Sequence, residues 1–250
     1  MRVQMLDAGW ISSPAAVYRQ GEDPQSRIRF PIPAFLIETA TERILVDTGL
    51  HPGAVADPAS FYGRPEAGMF ELELERGVLE QVDASTLTRV VLTHLHFDHA
   101  GSLTLLPETV PVVLQRREWE AAHQRDAVAR NFFYAQDYAV EEHRLVLVDG
   151  DHDLLGDGSV ELLLTPGHTP GHQSVRVGED LVIGADVGHF AATLDDLRFP
   201  SFADDFDAQR ASAARLRALR DGGVRVLPGH DPDVLRPGPV FGGTSAPGTE

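Results

Sequence analysis

The chain contains no cysteine. That removes disulfides and thiolate metal ligands together, so any metal site must be built from histidine and carboxylate. It also fits a reducing compartment, and we expect a cytoplasmic protein. Basic residues are scarce as well: 21 Lys and Arg stand against 38 Asp and Glu, a formal charge of −17. Non-specific nucleic-acid binding rests on cations that neutralise phosphates, so a nucleic-acid partner is not expected. No apolar run is long enough for a membrane span, and Met1–Asp7 lacks the apolar stretch of a secretory signal. No repeat or low-complexity linker divides the 250 residues. We therefore expect one domain over 1–237 and a flexible Gly/Pro/Thr-rich tail over 238–250.

What is present is an ordinary apolar fraction, 42%, enough for a sizeable core. Phe35–Ile37 and Ile44–Asp47 look like paired strands joined by a polar turn. Residues 51–70, rich in Pro, Gly and aromatics, read as a long excursion, a lid or pocket wall. Leu74–Gln81 and Arg116–Val128 look helical, and residues 205–221 form an amphipathic helix stopped by Gly222-Gly223. Further strands are expected at Arg89–Thr93, Pro111–Leu114, Leu145–Val148, Val160–Thr165, Leu181–Gly184 and Val224–Leu227.

The densest chemistry lies in Thr93-His94-Leu95-His96-Phe97-Asp98-His99, directly after the apolar run Val90-Val91-Leu92. Alternate side chains of an extended segment point the same way, so His94, His96 and Asp98 can converge while His99 turns aside. Imidazole and carboxylate are the ligands of zinc-like divalent metals. Four expected strands each stop at such a residue: His94, His168, Asp186 and His230. Strand ends gathered on one sheet edge are where α/β and α+β proteins assemble sites. The set divides in two. His94, His96 and His168 can serve one metal, and Asp98, His99 and His230 another. Asp186 can bridge them, and a hydroxide held between two metals roughly 3.5–4 Å apart is a ready nucleophile.

These motifs resemble the metallo-β-lactamase superfamily. The resemblance is carried by Thr93–His99 with Ala100-Gly101, by Thr165-Pro166-Gly167-His168-Thr169-Pro170-Gly171-His172-Gln173-Ser174, by Asp186, by Gly229-His230-Asp231, and by the early Ile44–Gly49 strand. It spans about Phe35 to His230. It implies an α+β fold, an αββα four-layer sandwich with two metals at one edge between the sheets. Within the superfamily, the two histidine motifs look most like the N-acyl-homoserine lactone lactonases and related γ-lactone hydrolases.

The resemblance implies a metal-dependent hydrolase that opens lactones, N-acyl-homoserine lactones (quorum quenching) or γ-butyrolactone, with zinc, or Mn, Fe or Co, as the two ions. One metal would polarise the carbonyl and Asp98 would carry a proton to the departing alkoxide. Related lactonases are often homodimers. They commonly carry a tyrosine three residues after the bridging Asp, at the substrate carbonyl; this chain has His189 there, either a catalytic imidazole that donates a hydrogen bond to steady the oxyanion or a residue behind the site or on the surface. A thioesterase of the glyoxalase-II kind, an aryl esterase or a phosphotriesterase shares the ligand set and stays open. Oxygen-reducing diiron members carry Glu at the position of His96, and cysteine-using zinc β-lactamases are excluded here.

Asp47 either accepts a hydrogen bond from a ligand imidazole or caps its turn. His172 is expected to brace the Pro-Gly loop, and His51, His123, His143 and His152 to lie on the surface. Phe61-Tyr62, Met69-Phe70 and Phe132-Phe133-Tyr134 belong either to the core or to an apolar pocket, for which Phe61, Phe70 and Phe133 are the candidates.

Overall fold

A computed structural model describes residues 1–23 and 25–242, apart from the side chains of 128–130. Among the described residues thirteen strands run in the order β1 (Arg2–Pro14), β2 (Arg27–Glu38), β3 (Arg43–Val46), β4 (Glu71–Glu73), β5 (Arg89–Val91), β6 (Val112–Gln115), β7 (Leu145–Val148), β8 (His152–Asp153), β9 (Val160–Leu164), β10 (Gln173–Val177), β11 (Leu181–Ile183), β12 (Arg225–Leu227) and β13 (Gly238–Phe241). They form two sheets. One has the order β13-β1-β2-β3-β5-β6-β7, with β4 on β1, and the other β12-β11-β10-β9-β8.

The apolar runs are buried on both faces, and alternation decides which layer each side chain enters. Leu45, Val90, Val112 and Leu114 pack toward the helical side of the first sheet. Their neighbours Ile44, Val46, Val91 and Val113 point the other way and meet Val160, Leu162, Val175 and Ile183 of the second sheet. On the far side of the second sheet, Leu163 and Val182 pack against Ala213 and Leu216 of the helix Phe206–Asp221. Three apolar layers thus separate helix, sheet, sheet and helix, which is the four-layer α+β sandwich expected.

Several expectations shift. Helix 74–81 shrinks to one turn, Val78–Gln81, because Glu71–Glu73 pairs with β1 and Gly77 caps the turn. Helix 116–128 is split into Arg116–Ala122 and Arg125–Arg130. The tail does not begin at 238: Val3, Gln4 and Met5 of β1 pair antiparallel with Phe241, Pro239 and Gly238. The rest of it, 243–250, lies outside the described residues. The excursion over 51–70 folds into the short helices Pro52–Ala54, Pro58–Tyr62 and Pro65–Met69. Among the described residues no helix is long and apolar enough to cross a membrane.

Candidate metal centre

Five strand ends converge. Asp47 follows β3, the run Thr93–His99 follows β5, His168 follows β9, Asp186 follows β11 and His230 follows β12. All seven expected ligands are buried. A one-turn helix over Phe97–Ala100 carries Asp98 and His99, while His94 and His96 precede it. Ala185, in a left-handed conformation at φ 46°, turns the chain so that Asp186 enters the site.

The first cluster joins His94, His96, His168 and Asp186, and the second Asp98, His99 and His230. Asp186 serves both with different oxygens. Its Oδ2 is 3.1 Å from His168 Nε2 and 3.8 Å from His94 Nε2. Its Oδ1 is 3.1 Å from His230 Nε2 and 3.6 Å from His99 Nε2. His96 Nδ1 closes the first set at 3.1 Å from His94 Nε2 and 3.0 Å from His168 Nε2. Asp98 Oδ2 closes the second, 3.6 Å from His230 Nε2 and 3.8 Å from His99 Nε2.

Donors around one tetrahedral ion with bonds of about 2.0–2.1 Å stand roughly 3.3 Å apart. The observed spacings bracket that figure. His99 Nε2 and Asp186 Oδ1 are moreover buried without a hydrogen-bond partner, a costly state unless a cation completes them. The residues fit two ions.

Burial and the adjoining imidazoles hold the pKa of His94 and His96 well below the ordinary value, keeping them in the neutral, ligating form. Burial opposes charge on His99 too, but Asp186, Asp98 and Asp47 outweigh it and push its pKa well up. Burial likewise works against an ionised Asp186; His189, His230, His99 and His168 overcome it and hold the carboxyl well below the usual range. A clustered set of acids and bases with displaced pKa values in a cleft marks a functional site.

Behind the candidate ligands stand groups that orient them. Asp47 Oδ2 receives His99 Nδ1–H at 2.8 Å, while its carboxylate also accepts the Thr93 N–H and hydroxyl at 2.8 Å each. His230 Nδ1 donates to the Pro31 carbonyl at 3.0 Å. His172 does more than brace its loop. Its Nδ1 bonds the Thr165 carbonyl at 3.1 Å, and its Nε2 accepts the Asp186 amide N–H at 3.1 Å. A Cβ on Gly229 would fall 2.3 Å from Asp186 Oδ1, so only glycine leaves room for the carboxylate.

Sequence reasoning missed Glu118. This buried side chain accepts the Leu95 N–H at 3.0 Å, between His94 and His96, and the Thr169 hydroxyl and Gly171 N–H at 2.8 Å each, beside His168. It ties the two ligand-bearing loops together. Burial pushes its pKa up to about 7 against those three hydrogen bonds. Gly171 lies so close to this helix that a Cβ there would meet Glu118 N at 2.2 Å.

A cavity opens above the ligands. His96, Asp98, Asp186 and His189 form its floor, and Tyr18, Phe70, Phe97, Phe132 and Phe202 its walls. Phe70 is therefore where it was expected. Phe133 is not on the wall: it is buried beneath, its ring 5.8 Å from His96, and its neighbour Phe132 lines the space. Phe61 packs on His51 at 4.7 Å instead. Tyr18 and Phe202 were not anticipated, and no motif marks them. His123, His143 and His152 are exposed and His51 half-buried.

A family model of the Metallo-beta-lactamase superfamily matches residues 27–230. The chain belongs to the metallo-β-lactamase superfamily. Among curated relatives it is 28% identical to the N-acyl homoserine lactonase AttM of Azorhizobium caulinodans, over 94% of each chain. It is 33% identical to an N-acyl homoserine lactonase of Bacillus cereus, over 78% of this chain and 79% of the relative. Among solved structures, an N-acyl homoserine lactone hydrolase with N-hexanoyl-L-homoserine at its catalytic metal center superposes with a TM-score of 0.80. The identity there is 25%, over 93% of this chain and 94% of the other.

Proposed function

We infer that this chain is a dinuclear metal-dependent hydrolase that opens lactone rings, with N-acyl-homoserine lactones as its substrates. The observation that carries the reading is Asp186: one carboxylate offers its two oxygens to two separate ligand sets on the floor of an aromatic cavity. The lactonase relatives support the choice of ester.

In this reading His94, His96, His168 and Asp186 hold one ion, and Asp98, His99, His230 and Asp186 the other. Two divalent ions there would supply the Lewis acidity that polarises a carbonyl and would lower the pKa of water from 15.7 to about 7. We assign zinc, which suits imidazole and carboxylate donors without demanding a particular geometry. The chain's own part is to place and to move protons. Asp98 turns Oδ2 toward His99 and His230, which leaves Oδ1 for the cavity. That oxygen passes to the ring oxygen the proton given up by the attacking water, as the acyl carbon–ring oxygen bond opens to hydroxy acid. The walls of Phe70, Phe132 and Phe202 take the acyl chain and keep bulk water out.

The test is turnover of a homoserine-lactone series of increasing acyl length, beside a thioester and a phosphotriester, with elemental analysis of the same protein. Lactone opening that chelation abolishes and zinc restores is the expected result. Two bound ions with turnover of only the thioester or phosphotriester would overturn the choice of substrate.

A further inference from the structure

His189 is fully buried, yet neither ring nitrogen has a hydrogen-bond partner. An imidazole with both nitrogens unsatisfied is rare in a protein interior. Its Nε2 lies 3.2 Å from Asp186 Oδ2, misaligned for a hydrogen bond. His168 Nε2 approaches the same oxygen at 3.1 Å. Ligand atoms of Asp186, His189 and His230 all lie within 4.8 Å of one another, as those of a shared ion would. The ring is not free to turn elsewhere. It sits between His168 and His230, at 5.2 and 5.1 Å, with Tyr18 against it at 5.2 Å. The backbone holds it in step with His230: Gly229 N–H donates to the Gly188 carbonyl at 3.0 Å, and His230 N–H to the His189 carbonyl at 2.7 Å.

We propose that His189 is itself a metal ligand, an eighth side chain of the centre that closes it on the side of Asp186 and His230, and not a hydrogen-bond donor to the substrate carbonyl. The proposal rests on the dinuclear reading above but not on the substrate. His189 also lines the cavity floor, so what points to an ion rather than to substrate is the carboxylate oxygen 3.2 Å from its Nε2. Nε2 faces the Asp186 oxygen that His168 Nε2 also approaches, as donors around one ion do.

The test measures metal, not turnover alone. Purified wild type, His189→Ala, His189→Gln and His189→Asp are stripped, checked for folding by circular dichroism, and titrated with Zn2+ against a chromophoric chelator and with Co2+ by visible absorption. We expect His189→Ala and His189→Gln to weaken one of the two ions by more than ~100-fold, beyond the ~10–100-fold that loss of a group behind a ligand costs. The Co2+ bands should shift as a nitrogen donor is lost, and His189→Asp, which restores a ligand, should recover most of the affinity. Wild-type affinity and an unchanged Co2+ spectrum in both the Ala and Gln variants would overturn the proposal. So would a Gln variant that keeps both ions and full turnover, since glutamine keeps a donor. His189-dependent binding of two ions in a protein that opens no lactone would sink the substrate assignment and support this one.

Discussion

The Nδ1–H of His99 points at Oδ2 of Asp47 across 2.8 Å, and that one contact decides which nitrogen of His99 faces the site. With Nδ1 committed, Nε2 is the nitrogen that faces Asp98 and Asp186. Asp47 adopts φ 61°, a conformation that Asp and Asn tolerate better than other non-glycine residues. Asp47→Asn therefore tests the contact without straining the backbone. Its amide has a single accepting oxygen and cannot serve the Thr93 N–H on one side and His99 on the other, and we expect metal affinity to fall ~10–100-fold, read by zinc titration. Unchanged affinity would mean that Asp47 only caps its turn.

Glu118 should matter although it touches no ligand atom. Glu118→Ala leaves the Leu95 and Gly171 N–H groups buried without acceptors, at about 1–3 kcal/mol for each. We expect a lowered melting temperature together with weakened binding of the ion held by His94, His96 and His168. A variant that melts early but binds zinc like the wild type would limit Glu118 to stability.

The cavity wall predicts a separation of binding from chemistry. Phe202 stacks edge-on near His168 at 5.6 Å and Phe132 at 5.5 Å. Truncation to alanine removes apolar contact worth about 1.5–3 kcal/mol when fully used. KM for long-chain lactones should rise about tenfold in Phe202→Ala, with kcat and short-chain substrates little changed. A fall in kcat alone, equal for all chain lengths, would place Phe202 outside the substrate path.

Asp137 gives the pH dependence. It is fully buried, neither oxygen has an aligned partner, and burial pushes its pKa from 3.8 up to about 8. The folded state then keeps a proton that the unfolded chain releases, so stability falls as pH rises from about 4 to about 8, by a few kcal/mol. Asp137→Asn removes that slope. Thermal melts of the metal-free proteins at pH 5 and pH 8 should show the wild type losing more than the variant; parallel losses would refute the assignment.

The candidate ligand cluster was legible because chemistry and position coincided: His94, His96, Asp98 and His99 lie within six residues, and His168, Asp186 and His230 each follow an apolar strand. Other features left no such mark. β1 escaped notice because Asp7, Ser12 and Ser13 interrupt its apolar pattern, and β10 because Gln173, Ser174 and Arg176 do. Glu118 sits in Arg116-Arg117-Glu118-Trp119-Glu120, which reads as a solvated helix; only the fold reveals that this carboxylate faces inward. Phe132 and Phe133 are one residue apart, and no periodicity says which of them meets the cavity.

The berth that Asp186 occupies beside Gly229 leaves no spare room, since even a methyl group would contact Oδ1. Laboratory evolution of this scaffold toward new esters can recruit the aromatic walls freely, but position 229 is a dead end. Clones altered there should drop out of any screen although every ligand is intact.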